Sequence, residues 1–75
     1  MTTQEQELIE EVREEVQRAY EMYGPFRTAH HGYSVILAEL DEAKDEIRKG
    51  DLGRACEEMV QVAAMAVQFL KEFGD

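Results

Sequence analysis

Met59-Val60-Gln61-Val62-Ala63-Ala64-Met65-Ala66-Val67-Gln68-Phe69-Leu70 is the stretch on which the fold turns. Gln61 and Gln68 are its only polar residues. The run is too long for a typical strand and holds no breaker, so it reads as part of a helix from about Leu52 to Phe73. Asp51 is placed to cap its start. A helix that is apolar all round has to be buried all round. Two further helices of a 75-residue chain cannot surround it, so copies of the chain are expected to. Ala63, Ala64 and Ala66 would let such neighbours approach closely.

Working outward, Gly50 ends a preceding helical stretch that runs from about Gly32 to Lys49. Tyr33, Ile36, Leu37, Leu40, Ala43 and Ile47 form its apolar face, centred on Leu40, and Arg48 and Lys49 suit the negative end of its dipole. Before that, Gly24-Pro25 closes a first stretch from about Gln4 to Tyr23. There Ile9, Val12, Val16, Ala19 and Tyr23 recur at steps of three and four. Thr3 and Gln6 have the spacing of a capping box. The expectation is one all-α domain over residues 1–75, with helices at about 4–23, 32–49 and 52–73, completing a helical bundle by oligomerisation.

Composition narrows the function. A chain this short buries only about 60% of its unfolded surface, so its stability is marginal without help. Cys56 is the only cysteine, which excludes an internal disulfide. His30 and His31 are adjacent and no C-x-x-C is present, which argues against structural zinc. Oligomerisation is the remaining source of stability. Net charge is −9, which disfavours nucleic acid, since phosphate backbones are held by clustered Lys and Arg. No apolar run reaches the roughly 20 residues of a membrane span, and the N-terminus does not read as a signal peptide. A lone thiol fits a reducing, cytoplasmic setting.

Chemistry is suggested by carboxylates on the second and third helices. Glu39, Glu42 and Glu46 share a stripe beside the expected apolar face. Like charges four apart destabilise a helix by about 0.2–0.5 kcal/mol, and a divalent cation converts that repulsion into coordination. Glu58 and Gln61 share a face at the point where the third helix becomes wholly apolar, and a buried carboxylate there needs a partner. The plainer readings are an acidic solvated face, glutamines that fix helix register, and Cys56 as a small core residue. For His30 and His31 the plainer reading is a capping or solvent role. Tyr20, Tyr23, Phe26 and Tyr33 are expected to lie over the core, with base stacking as the alternative.

Glu39-Leu40-Asp41-Glu42 is an E-x-x-E motif, and Glu58-Met59-Val60-Gln61 follows on the next helix. With their apolar flanks, from about Gly32 to Leu70, these resemble the all-α nucleoside triphosphate pyrophosphohydrolase superfamily, and within it the short MazG-like proteins. The family pattern is E-x-x-E, a gap, then E-x-x-D. The resemblance implies Mg²⁺ held by Glu39, Glu42 and Glu58, with Gln61 in the place of the usual Asp. A neutral carbonyl there lowers cation affinity, and Glu46 is the better placed of two nearby compensators. The resemblance also implies a nucleotide substrate cleaved to a monophosphate and pyrophosphate, with Glu42 or Glu46 as the catalytic base. Arg48, Lys49 and Arg54, flanking the loop between the two helices, are the phosphate-binding candidates. The fourth helix common in the family is absent from this sequence, so a second chain, in a dimer or tetramer, would supply it. The alternative is a non-catalytic helical module that keeps this fold for oligomeric interaction.

Overall fold

A computed structural model describes residues 3–74. They form three helices and no strand: α1 (Gln4–Tyr23), α2 (Ala29–Lys49) and α3 (Leu52–Phe73). Each start is capped by a side chain that satisfies an otherwise orphan N–H. The Thr3 hydroxyl accepts from the Gln6 N–H at 3.1 Å, and the Gln6 side chain accepts from the Thr3 N–H at 2.8 Å. The Asp51 carboxylate accepts from the Arg54 N–H at 3.0 Å. α2 begins three residues before Gly32, because the Thr28 hydroxyl accepts from the His31 N–H at 3.0 Å and opens the helix there.

The turn between α2 and α3 has only two residues. Gly50 takes the left-handed conformation at φ 82°. Its N–H donates to the Ile47 carbonyl, and the Asp51 N–H donates to the Glu46 carbonyl, both at 3.0 Å. This paired termination folds α3 directly back along α2. α1 packs against α3 and makes no close backbone approach to α2.

Small residues set the packing. The buried apolar side chains are Val16, Ala19, Ala43, Ala55, Ala64 and Met65, and no large side chain is wholly enclosed. Gly32 is buried where a Cβ would lie 2.9 Å from ring carbons of both Phe26 and Phe69. These small residues let α2 and α3 approach closely.

They also turn α2 away from the expected orientation. Its buried stripe is Gly32, Ile36, Glu39, Ala43 and Glu46, whereas Leu40, the expected centre, is 41% exposed. Two further expectations are corrected. Tyr20, Tyr23 and Tyr33 are exposed, and of the four aromatics only Phe26 packs on the core. Cys56 is exposed as well, on a side of α3 that no other helix covers. Much of the apolar run on α3 is open to solvent, with Leu70 67% exposed. No helix is long and apolar enough to cross a membrane.

Candidate metal centre

The tight hairpin brings carboxylates of two helices together. Glu39 and Glu42, three residues apart, stand on one side of α2. Glu58 faces them from α3, one turn beyond the close contact at Ala55. One oxygen from each of the three lies within 4.8 Å of the others. Glu39 and Glu58 are half-buried and Glu42 is exposed. None of the three enters an ion pair among the described residues; the pairs seen are Arg13–Glu10, Arg18–Glu15 and Lys49–Glu46.

Three carboxylates without a counter-charge cannot all ionise cheaply. Burial pushes the Glu39 carboxyl up to about 7, reinforced by a hydrogen bond with Glu58 and by the charges of Glu42 and Glu58. Glu42 is also raised, chiefly by its hydrogen bond with Glu58 and by that residue's charge. A cation at this point would compete with protons for the same oxygens. Mg²⁺ takes oxygens at about 2.0–2.1 Å, which places adjacent ligands of an octahedron about 3 Å apart. The three oxygens stand wider apart than that in this structure, and all three are the carboxylate donors such a cation takes.

The other expected residues are placed differently. Gln61 is half-buried, one turn beyond Glu58. Arg18 first, and Gln61 with it, hold Glu15 below the usual carboxylate range. Arg18 Nε donates to Glu15 at 2.9 Å. Glu46 accepts from Lys49 Nζ at 3.5 Å and stands outside the three-carboxylate group. Arg48, Lys49 and Arg54 are all exposed near the α2–α3 turn.

Beside the centre is a hollow of about 300 Å³, bounded by Tyr23, Phe26, His31, Val35, Glu39 and Met65. His31 Nδ1 accepts from the Arg27 N–H at 3.1 Å, which leaves the proton of the neutral ring on Nε2. The His31 ring stands edge-on to Phe26 with centroids 5.7 Å apart.

A polar clamp that sequence reading did not find fixes the wall of this hollow. The Glu72 carboxylate accepts from the Phe26 N–H at 3.0 and 3.2 Å. Gln68, only 4% exposed, donates to the Gly24 carbonyl at 3.3 Å and to Glu72 at 3.2 Å. The four-residue spacing of Gln68 and Glu72 was the available signal; their target on the α1–α2 connection was not. A larger hollow of about 790 Å³ lies between α1 and α3 and includes no residue of the carboxylate group.

No protein-family model, curated protein or solved structure matches the chain.

Proposed function

We propose that this chain is a Mg²⁺-dependent nucleoside triphosphate pyrophosphohydrolase of the MazG-like type, or a reduced relative, working in the cytoplasm as a homodimer or homotetramer. The observation that carries this reading is the convergence of Glu39, Glu42 and Glu58 from two helices without a counter-charge. A bound Mg²⁺ supplies charge neutralisation for phosphate oxygens and acidifies an attacking water. Glu39 and Glu58, half-buried and held by the hairpin, orient the cation. Glu42, more exposed, is the group on the solvent side that can accept the water's proton, with Glu46 the other candidate. The hollow beside Glu39 offers Tyr23, Phe26 and His31 to a planar base. Arg48, Lys49 and Arg54 are free to meet phosphates at the surface, although Lys49 is shared with Glu46.

The test is pyrophosphate release from a panel of NTPs and dNTPs with Mg²⁺. Turnover by the wild type should fall at least about 100-fold in Glu58→Gln, some 2.7 kcal/mol of transition-state stabilisation. Equal release by wild type and variant, or none by either, rejects the catalytic reading. Gln61, a neutral amide where the family pattern has Asp, favours a second reading, a non-catalytic oligomeric module, because the centre is then one acidic ligand short. That reading predicts no Mg²⁺ effect on melting temperature.

A further inference from the structure

We infer that Gln68 and Glu72 are positioning residues: by fastening the short segment 24–28, which joins α1 to α2, they set the wall of the hollow beside Glu39 and so the seat of a nucleotide base. This rests on the reading of that hollow as the base subsite.

Both residues stand where side-chain chemistry alone would not put them. Gln68 is an amide only 4% exposed in an apolar stretch of α3, and a buried amide costs stability unless its hydrogen bonds are made. Glu72 lies in the last turn of α3, at the negative end of the helix dipole, where a carboxylate is disfavoured. Their hydrogen bonds go to each other and to the segment. Gln68 Nε2 donates to the Gly24 carbonyl at 3.3 Å and to Glu72 at 3.2 Å, and Glu72 takes the Phe26 N–H on both oxygens. Among the described residues, no backbone–backbone bond joins this segment to α3. The two side chains therefore supply its polar attachment.

The fastened segment bears directly on the hollow. Tyr23, Gly24, Pro25 and Phe26 are consecutive residues of its lining, and Glu39 of the metal centre lines it too. The Phe26 ring fills the space above Gly32, and His31 stands edge-on to that ring while its Nδ1 accepts from the Arg27 N–H. Releasing the Phe26 N–H thus loosens the aromatic wall as one piece. Glu72 is not among the residues lining this hollow, so its effect on an occupant passes through Phe26. A base against Phe26 and His31 would lose its wall, whereas phosphates held at the carboxylate centre would not.

Equilibrium dialysis with Mg²⁺ tests this on wild type, Glu72→Ala and Glu72→Gln. The ligands are the α,β-methylene analogues of ATP, GTP, CTP and UTP, with tripolyphosphate as the ligand that has no base. The tightest-bound analogue should bind Glu72→Ala at least about 10-fold more weakly, the effect of releasing one hydrogen bond to a charged group. Tripolyphosphate should bind wild type and Glu72→Ala alike. Glu72→Gln keeps an acceptor for the Phe26 N–H and should recover most of the nucleotide affinity. Unchanged nucleotide affinity in Glu72→Ala overturns the proposal. An equal loss for tripolyphosphate also overturns it, since that marks a role in stability alone. Wild type that binds no analogue more tightly than tripolyphosphate overturns it together with the base subsite. Binding without pyrophosphate release rejects the hydrolase alone, and the affinities still decide the positioning role. If Glu72→Ala does not fold, amide exchange of the wild type decides. The analogue should protect the Phe26 and Arg27 N–H groups more than tripolyphosphate does, and equal protection rejects the proposal.

Discussion

On α2, the stripe of Gly32, Ile36, Glu39, Ala43 and Glu46 packs toward α3, while Tyr33, Leu37, Leu40 and Ile47 face solvent. Hydropathy alone would place the second stripe inside. The difference arises because hydrophobicity fixes that a helix has a face, whereas close packing fixes how the helix is turned. Gly32 and Ala43 on α2, with Ala55 on α3, are small buried residues that let the two backbones approach closely, while Ala64 clusters with Val16 and Ala19 of α1. A two-residue turn leaves the hairpin little freedom to rotate away from that contact. The inward stripe thereby carries two carboxylates into the α2–α3 seam and leaves Leu37 and Leu40 exposed.

The largest test of this comparison is to fill the close contact. Ala43 is 0% exposed, so Ala43→Leu forces extra methylenes into a packed seam at about 2–3 kcal/mol. Urea unfolding should show the loss, while Leu37→Ala on the outward stripe, already 44% exposed, should cost far less. If Ala43→Leu leaves the midpoint unchanged, the seam is not close-packed and the account of the rotation fails.

The carboxylates on the inward stripe sharpen the comparison through pH. The Glu39 carboxyl is raised from an ordinary 4.5 to about 7 in the fold. Between those values the folded chain binds more protons than the unfolded chain, so stability falls as pH rises. In EDTA the melting temperature should therefore decline from about pH 4.5 to about pH 7. Glu42, raised in the same direction, adds to the decline. Mg²⁺ at ten times its Kd should restore about 1.4 kcal/mol above pH 7, where the ligands are ionised. Glu39→Gln should flatten the slope and abolish the Mg²⁺ response. A melting temperature that rises across this window would show that the three carboxylates are not held together.

The same contrast explains what could be read from residues alone. Three helices were legible because Gly24-Pro25 and Gly50-Asp51 break an otherwise helical pattern. The early start of α2 was not, since it depends on one hydroxyl, Thr28, reaching the His31 N–H. Glu39 and Glu42 fall together by the helical repeat. The approach of Glu58 depends on hairpin register, which spacing does not determine; a family-like motif suggested it instead. Side-chain character points Cys56, Leu40 and the three tyrosines inward, yet it says nothing about how a helix is rotated, and all five are exposed. The sequence suggests Gln68 as a residue that fixes register between helices. It instead ties α3 to the Gly24 carbonyl on the α1–α2 connection of the same chain.

The smallest expected effect concerns Glu46, the last carboxylate of the inward stripe. It sits one turn past Glu42 and is occupied by Lys49 at 3.5 Å. Its side chain is only 16% exposed, but its partner is 69% exposed, so the pair is a surface contact in energetic terms. Glu46→Gln should therefore change stability by no more than about 0.5 kcal/mol. The informative readout is the Mg²⁺-dependent shift in melting temperature. If that shift is intact while pyrophosphate release is lost, Glu46 acts as a base and not as a ligand. If both survive, the proton acceptor is Glu42. Loss of the shift itself would place Glu46 among the metal ligands and extend the centre a full turn along α2.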